Sequence, residues 1–517
     1  MKRLIVLLLF ALPQLLAAQA CLPDGITIAN QAVLDAFATS YPGCSIIEGD
    51  VVIEGPLITD LSGLSQVVAV EGYLGINLTT QLTDLSGLEN LETIGGGLFI
   101  QINTGLQSLT GLEQIDSLGG TLYIVINDQL SSLDGLNNLQ VIEGTFNLYR
   151  NPALTTLESL ASLQEIHGSL IFEETQGLQN LNGLENISSL GGRLNLYDNA
   201  DLLSLEGLQN LKTVQEEVRI QANYSLPNLS GLDSLQFIGG DLGIHFNPAL
   251  TGLGALSGLQ WIGGGLFIEG NGSLHDLSGL QGIDTLGGPL WVSSNDALID
   301  LAGLDDLHSI GGNLTIAHND LLTNLDALSN LTQVPGFLRV YNNDFLPDLS
   351  GLENLTSIDG YLEIGRNDVL ANIDELSSLD PITITDLRIT ENPQLSVCEQ
   401  PPICAYLAVP DNPATIEDNA PGCSSAEEVE AACALVSTVE TAALRLKLYP
   451  NPTSGPVRLE GPPEHMLSIQ VVDQYGRRAP ISPLSERTID LSGLPSGIYT
   501  LIVRSETNTY FERINKS

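Results

Sequence analysis

Side chains that can recognise a ligand recur in this sequence at intervals of 24 residues. Only seven Lys and Arg residues occur in the repeated region, and three of them, Arg219, Arg339 and Arg388, occupy one position of the repeat. Phe267 and Trp291 are successive members of the same position. Guanidinium groups form bidentate hydrogen bonds and aromatic rings stack on ligands, so this combination favours recognition. With the position two residues further on, the candidate ligand-binding residues are Tyr123, Tyr149, Tyr197, Arg219, His245, Phe267, Trp291, Arg339 and Tyr341. The alternative is that aromatic residues simply suit exposed strands.

Residues that could carry out catalysis show no comparable grouping. The six histidines occupy different positions of the repeat, and the sequence contains no G-x-S-x-G, H-E-x-x-H or P-loop motif. Acidic residues are scattered over the segments between the predicted strands. We therefore expect a protein that is not an enzyme, with no catalytic residues, no metal-ligand cluster and no cofactor, although calcium enters one functional hypothesis below.

The candidate residues are positioned by the repeat itself. Leu82 to Gly105 reads LTDLSGLENLETIGGGLFIQINTG, and the position of Leu88 is Leu in 14 copies from Leu64 to Leu376. Leucines three residues apart place aliphatic side chains inside a coil, and the L-x-I segment at residues 98–100 alternates with the period of a strand. Each copy predicts one coil of a β-solenoid, and stacked coils form a parallel sheet whose outward positions carry the candidates.

Gly and Asn dominate two further positions of the repeat. Twelve of the 14 copies have Gly at the position of Gly96, which predicts a positive φ or a close backbone approach. Most copies have Asn at the position of Asn103, with Thr79 and Thr175 as interruptions. A column of amides could serve a metal or a sugar, but an inward Asn at a corner more often bonds backbone groups that a turn leaves unpaired. We therefore predict structural roles for both positions.

The N-terminal residues predict export. Two basic residues precede an apolar run from Leu4 to Leu16, and small residues follow up to Ala20, as in a signal peptide with an A-x-A cleavage site. A lipoprotein signal ending at Cys21 is the alternative, although Ala18 stands where such signals usually carry Leu. No later segment approaches the roughly 18 apolar residues of a membrane helix, so we expect no transmembrane segment.

The six cysteines lie at the two ends of the repeated region. In an oxidising compartment such cysteines form disulfides. The simplest N-terminal pair is Cys21 with Cys44. The other four follow the repeats: Cys398, Cys404, Cys423 and Cys433. They allow three connectivities, of which 398–404 with 423–433 is the most local. Zinc binding is disfavoured because no C-x-x-C or neighbouring His accompanies them.

These features divide the chain into six segments. Residues 26–41 carry apolar side chains at helical spacing and predict a capping helix, and residues 47–53 predict an incomplete first coil. The boundaries are 1–20 for the signal peptide, 21–55 for the N-terminal cap, 56–395 for a solenoid of 14 repeats, 396–436 for a Cys-rich C-terminal cap, 437–446 for a linker and 447–517 for a final domain.

The repeat pattern L-x-x-L-x-G-L-x-x-L-x-x-I-G-G-x-L-x-I-x-x-N resembles the receptor L-domain type of leucine-rich solenoid, found in receptor ectodomains and in microbial surface proteins. The resemblance covers about two thirds of the chain. It implies a right-handed β-helix of the leucine-rich-repeat type. Together with the 24-residue period, the parallel sheet and the cysteines at both ends, it predicts a β-solenoid with disulfide-stapled caps. It also implies recognition instead of catalysis, without naming a ligand.

From Lys447 onward, strand-like alternation with Gly and Pro turns predicts a small antiparallel β-sandwich. The residues Tyr449, Pro450, Asn451, Pro452, Gly455, Gly497 and Tyr499 form a pattern that resembles the C-terminal sorting domain of the type IX secretion system of Bacteroidota. The resemblance implies the type IX machinery as a partner, passage through the outer membrane, cleavage of this domain, and release from or attachment to the cell surface. A sandwich with an unrelated binding role is the alternative.

The charge balance narrows the function further. The formal net charge is −44, with 62 Asp and Glu against 18 Lys and Arg, which excludes nucleic acid and anionic lipid as partners because both need a basic surface. Two hypotheses follow. The first is a surface recognition or adhesion protein that binds a glycan or a protein on the sheet face. The second is a structural surface-layer or matrix spacer that is bridged by calcium or other divalent cations.

Overall fold

A computed structural model describes residues 19–441, 447–449, 451, 453–460, 468–473, 477–485, 487–504 and 509–516. The chain divides after Ala426 into two compact units, and each is described by itself. The predicted signal peptide lies outside the described residues up to residue 18, as do residues 442–446 of the predicted linker.

The first unit is a β-solenoid of about 17 turns, and its largest component is a parallel sheet of 17 strands, which we call the long sheet. Successive strands pair in register, so residues 24 positions apart lie side by side, as Phe99 lies beside Tyr123. The strands are Ile26–Ile28, Val51–Glu54, Leu74–Asn77, Leu98–Gln101, Leu122–Val125, Phe146–Tyr149, Leu170–Glu173, Leu194–Tyr197, Val218–Gln221, Leu242–His245, Leu266–Glu269, Leu290–Ser293, Leu314–Ala317, Leu338–Tyr341, Gly360–Gly365, Ile384–Thr390 and Ala414–Glu417. This architecture confirms the predicted coils of 24 residues.

The leucine positions of the repeat fill the interior of the solenoid. In the coil of Leu88, that residue and its neighbours Leu82, Leu85 and Leu91 are at most 2% exposed. Burial of each such side chain contributes about 1.5–3 kcal/mol before the entropy of ordering the chain is subtracted. Because each coil covers the apolar edge of the next, the coils stabilise one another and no coil is stable alone.

The long sheet extends one strand further at each end than the repeat pattern predicts. Residues Ile26–Ile28 pair with Val51–Ile53, so the predicted helix over 26–41 is wrong at its start. The alternation Ile-Thr-Ile suits a strand, and helices follow only at Gln31–Asp35 and Phe37–Ser40. At the other end Ala414–Glu417 pairs with the preceding strand and places a final coil inside the Cys-rich cap.

The disulfides confirm one pairing and correct another. Cys21 is bonded to Cys44, as the sequence predicts. Cys398 is bonded to Cys423, which excludes the most local connectivity of the C-terminal cysteines. The physical reason is that Cys404 lies in the helix Pro401–Leu407, whereas Cys423 follows the last strand and returns to the buried Cys398. Cys404 and Cys433 are also disulfide-bonded, so all six cysteines, which lie within residues 19–441, are oxidised.

A second parallel sheet, built mainly from strands of two residues, follows a different side of each coil. We call it the short-strand sheet. Its strands are Gln19–Cys21, Cys44–Ile47, Ala69–Val70, Thr93–Ile94, Ser117–Leu118, Val141–Ile142, Glu165–Ile166, Ser189–Leu190, Thr213–Val214, Phe237–Ile238 and Trp261–Ile262, with a separate pair at Gln333–Val334 and Ser357–Ile358. The aliphatic column of Ile94 is the buried member of these strands.

Glycines act differently at two corners of the coil. A Cβ atom on Gly96 would lie 2.8 Å from the backbone nitrogen of Tyr73, so close backbone approach, without a positive φ, explains that column. A separate glycine column has φ near +110°, as at Gly207, where a Cβ atom would also lie 1.9 Å from the carbonyl oxygen of Leu181. Only glycine meets both conditions at that corner.

Short helices occupy the turns and the C-terminal cap. The 3-10 turns are Ser62–Leu64, Glu158–Leu160, Gly254–Leu256, Asp326–Leu328, Asp374–Ser378 and Pro381–Thr383. An α-helix runs from Ala426 to Thr441 and so enters the segment predicted as a linker. No helix among the described residues is both long and apolar enough to cross a lipid bilayer.

The second unit contains two small antiparallel sheets. One is formed by Lys447–Tyr449, Pro456–Glu460, Ser482–Ser485 and Thr488–Asp490, and the other by Ser468–Asp473, Gly497–Arg504 and Thr509–Lys516. Alternate residues of these strands, such as Val457, Ile489 and Leu501, are fully buried and form one apolar core. The predicted antiparallel strands of the final domain are therefore present.

Candidate functional site

The Asn column is a structural ladder. The Nδ2 group of Asn247 donates to the carbonyl oxygens of Ile220 and His245, both at 3.0 Å. Its Oδ1 atom accepts the backbone N–H of Asn223 at 3.0 Å. The side chain is fully buried, and the same bonds recur coil after coil as far as Asn419. Since these amides are engaged with the backbone of the coils, they are not available for a ligand.

The nine candidate residues face outward on the long sheet, but they form separate groups. Tyr123 belongs to an aromatic row with Phe99 and Tyr73. The ring centroids of Tyr123 and Phe99 are 5.9 Å apart, and those of Phe99 and Tyr73 are 5.4 Å apart. Tyr149 lies 5.1 Å from the guanidinium carbon of Arg150. Tyr197 is 36% exposed, on the strand before Arg219. The first three aromatic candidates therefore do not share one site.

Arg219, His245 and Phe267 meet around a hollow of about 250 Å³, which we call the central hollow. Gly243 stands between Arg219 and Phe267 in the register of three successive strands, so no side chain from that position separates the guanidinium from the ring. The His245 ring folds over Gly243, where a Cβ atom would lie 2.5 Å from its Nε2 atom. The full lining is Glu217, Val218, Arg219, Asp241, Gly243, His245 and Phe267.

The polar groups of the central hollow are only partly engaged with one another. The Nε–H of Arg219 donates to Oε1 of Gln221 at 2.7 Å. Burial lowers the pKa of His245 below its ordinary value, and the nearby charge of Arg219 adds to this effect. Glu269, whose carboxylate is 3.5 Å from the His245 Nδ1 atom, opposes the shift. The imidazole is therefore held neutral near pH 7 and offers one donor and one acceptor.

A second depression of about 430 Å³ adjoins the central hollow at the start of the same strands. The two share the carboxylates of Glu217 and Asp241. Arg193 lines the far part, with its Nη1 atom 3.4 Å from Glu217. The complete lining is Arg193, Gln215, Glu216, Glu217, Gly239, Gly240 and Asp241. Because they share Glu217 and Asp241, the two depressions adjoin, and we call them together the groove.

Trp291 is adjacent to Phe267 on the next strand and is half-buried. Its Nε1–H donates to the Ser293 hydroxyl at 2.8 Å. The next residue in that column, Thr315, is fully buried, and its hydroxyl has no hydrogen-bond partner among the described residues. Trp291 and Arg339 stand in register on either side of Thr315. This part of the sheet face is uncharged between two groups of charged residues.

Arg339 and Tyr341 belong to a second group, which we call the arginine–aromatic cluster. The guanidinium carbon of Arg339 lies 4.5 Å from the Tyr341 ring centre, and that of Arg366 lies 5.5 Å from it. Each of these arginines also forms an ion pair at 3.0 Å with an acid on the next coil. The cluster comprises Phe337, Arg339, Tyr341, Tyr361, Arg366 and Arg388. Because every arginine is already neutralised by an acid, the cluster carries little net charge.

Several of these residues are not among the candidates predicted from the sequence. Phe337 and Tyr361 stack with ring centres 4.3 Å apart; Phe337 immediately precedes the strand Leu338–Tyr341, and Tyr361 is the second residue of the strand Gly360–Gly365. Glu217 and Asp241 occupy the same position of the repeat in the groove. These four residues belong to a third outward column of the repeat, two residues before the column of Arg219, and inspection of that column would have identified them. Among the described residues, no group of three or more His, Cys, Asp or Glu side chains is arranged to hold a metal.

The predicted sorting motif lies partly in the described second unit. The Nδ2 group of Asn451 donates to the carbonyl of Arg513 at 2.7 Å, and its Oδ1 atom accepts the N–H of Asn515 at 2.8 Å. The Tyr499 hydroxyl donates to the carbonyl of Pro495 at 3.0 Å. Asn451 thus attaches the start of the second unit's antiparallel sheets to their last strand, Thr509–Lys516. Pro450 and Pro452 lie outside the described residues.

Comparison with known proteins supports both resemblances. Residues 43–101, which contain the first complete coils, match the Receptor L domain family. Residues 447–517 match the family described as a secretion system C-terminal sorting domain. No curated protein matches the chain. The matches therefore support a Receptor L domain segment at residues 43–101 and a sorting domain at residues 447–517, and the sorting domain indicates export by the type IX secretion system and attachment at the cell surface.

Proposed function

We propose that the solenoid is a surface-displayed recognition module, and that its ligand, a glycan or a protein, contacts the outward face of the long sheet. The observation that carries this proposal is the gathering of rings, guanidinium groups and carboxylates at two places on that face, the central hollow and the arginine–aromatic cluster. Stacking of the coils requires apolar residues only at inward positions, so packing within the solenoid does not explain these groups.

The aromatic rings and arginine side chains of the central hollow and the arginine–aromatic cluster are suited to binding a ligand. Exposed rings supply contact area at low entropic cost, and arginines on aromatic faces remain able to bond a ligand. The spacer hypothesis would need carboxylates grouped for divalent cations. The acids of the arginine–aromatic cluster are paired with arginines instead, so recognition accounts for more of the observed contacts.

The test replaces Phe267, Trp291 and Arg339 together by Ala in the full secreted chain. A matched control replaces Phe237, Trp261 and Lys212, which supply the same classes of side chain on or beside the short-strand sheet. For both variants and the unmodified chain, we would measure binding to a glycan array and to a panel of bacterial cells. We expect binding to fall at least tenfold in the first variant, since two rings and a charge are lost, and to persist in the second. Equal binding of the first variant and the unmodified chain would overturn the proposal.

A further inference from the structure

We propose that the groove formed by the central hollow and the adjoining depression binds a neutral oligosaccharide, with one pyranose ring against Phe267. This inference rests on the proposed function and adds the class of ligand and its place on the sheet. Its first support is the shape of the groove. Because Gly243 has no side chain, the His245 ring folds over it and leaves a gap of about 250 Å³ between Arg219 and Phe267, which adjoins a space of about 430 Å³ beside Gly239 and Gly240.

The walls of the gap differ in chemical character. Phe267 is half-buried and offers an apolar ring, whose negative face attracts the C–H groups of a pyranose. The other walls offer the Arg219 guanidinium and the carboxylates of Glu217 and Asp241. Hydroxyl groups are both donors and acceptors, so a sugar can bond to a guanidinium on one side and to carboxylates on the other. A purely apolar ligand would leave these groups unpaired.

Polar atoms beside the gap have bonding capacity to spare. Only Nε of Arg219 is occupied by a side-chain hydrogen bond, to Gln221, and no carboxylate forms an ion pair with Arg219 in the described part of the chain. In the register of the sheet Arg219 stands beside Asn195, whose buried Oδ1 atom has no hydrogen-bond partner among the described residues. The His245 ring adds its Nε2 atom, since its Nδ1 atom already lies 3.5 Å from the Glu269 carboxylate.

The charges of the groove select against an ionic ligand. Arg193 and Arg219 supply two positive charges, whereas Glu216, Glu217, Asp241 and the adjacent Glu269 supply four negative charges. The groove is therefore net negative, as is the whole chain, and an anionic sugar would be repelled. A cationic sugar would meet Arg219 at the centre of the gap. A neutral sugar avoids both costs, and a second sugar unit would extend towards the adjoining depression.

The test uses the full secreted chain with maltose, cellobiose and lactose as neutral probes, their monosaccharides, and glucosamine and glucuronic acid as charged probes. Saturation-transfer NMR identifies binding and isothermal titration calorimetry measures affinity. Gly243→Val displaces the His245 ring into the gap, and Phe267→Ala removes the aromatic ring. Gly75→Val is the matched control, because Gly75 occupies the same column of the long sheet on a distant strand, where its Cβ atom would lie 3.2 Å from Asn77 and 3.5 Å from the Tyr73 ring.

We expect at least one neutral disaccharide to bind more tightly than its monosaccharide. Its affinity should fall about tenfold or more in both groove variants, as expected for loss of a ring contact, and remain unchanged in Gly75→Val. The inference is overturned if no neutral probe binds, if a charged probe binds more tightly, or if neither groove variant weakens binding. If array binding nevertheless depends on Arg339 and Tyr341, the proposed function stands while this inference fails.

Discussion

At the scale of single residues, the buried Asn side chains show how one residue type can solve three bonding problems of a corner. The Asn247 amide accepts a backbone N–H from one coil and donates to carbonyl groups of two coils. The residue before each of these Asn positions adopts a positive φ, for example +56° at Ile102, which costs a β-branched residue about 1–3 kcal/mol. The amide ladder offsets this cost by satisfying groups that the turn would otherwise leave unpaired.

The ladder has one interruption that can be repaired. Thr175 stands where an Asn would accept the backbone N–H of Asn151, and its hydroxyl donates to Asn199 instead. In Thr175→Asn we expect a gain of about 1 kcal/mol, because one more buried amide is satisfied. Hydrogen exchange at the Asn151 amide checks this and should slow down. Asn199→Thr is the reciprocal control and should accelerate exchange at position 175. Unchanged exchange at Asn151 in Thr175→Asn would contradict the proposed role of the column.

His167 provides a residue-scale prediction about pH. Its Nδ1 atom is 2.6 Å from Glu143 and its Nε2 atom is 3.0 Å from Glu165, and these hydrogen bonds raise its pKa, with Glu143 as the larger cause. Because the pKa is higher in the folded chain, the stabilisation is complete below the unfolded pKa of about 6.5 and is lost as pH rises through the folded value. NMR titration of the ring should show this elevation.

Glu143→Gln should bring the pKa of His167 back towards its ordinary value. Glu71→Gln is the control, since Glu71 occupies the same column three coils before Glu143 and should leave the titration unchanged. A titration of His167 that is the same in all three proteins would refute the assigned contacts.

At the scale of elements, the coil is specified by where glycine is required and where it is not. Gly207 has φ of +112°, and a Cβ atom there would lie 1.9 Å from the carbonyl oxygen of Leu181, whereas a Cβ atom on Gly254 would meet nothing within 4 Å. We expect Gly207→Ala to lower the free energy of unfolding by more than about 2 kcal/mol through strain and overlap. Gly254→Ala should be neutral or stabilising by up to about 1 kcal/mol. Urea unfolding curves of both variants decide the matter, and equal midpoints would show that the corner is not strained.

The sequence predicts the long sheet and misses the short-strand sheet and the two end strands. The period of 24 residues fixes the long sheet, its outward columns and the buried leucines, because each is the same local solution repeated. Strands of two residues, such as Thr93–Ile94, are too short to show an alternation. The end strands Ile26–Ile28 and Ala414–Glu417 deviate because a terminal coil is covered on one side only.

Several residues of the candidate site could be predicted from the sequence, but the way they come together could not. Arg219, His245 and Phe267 follow from the outward columns, but their meeting depends on Gly243, which looks like a gap in the pattern. Whether a glycine produces a hollow depends on how neighbouring side chains fold, and His245 folds over it while Phe267 does not fill it. The rotamers that these side chains adopt do not follow from the 24-residue repeat.

At the scale of the solenoid, the two described disulfides protect its ends. Cys398–Cys423 encloses the strand Ala414–Glu417, the last of the long sheet. Replacing both cysteines by Ser should cost about 2–4 kcal/mol of local stability, because the enclosed segment gains freedom when unfolded. Hydrogen exchange should accelerate in residues 414–417 and stay unchanged in the central strand Leu242–His245. Uniform acceleration along the solenoid would show instead that its coils unfold as a single unit.

The in-register pairing of the long sheet also has a mechanical consequence. Its hydrogen bonds run from coil to coil, and the coils follow one another in a single chain, so tension between the two ends of the solenoid opens these bonds one coil at a time instead of shearing many together. Each coil that peels away adds roughly 80 Å of extended chain, at about 3.4 Å per residue. A protein held at a cell surface by such a solenoid yields in steps under flow, and the closed loops Cys21–Cys44 and Cys398–Cys423 limit how much chain the end coils can release.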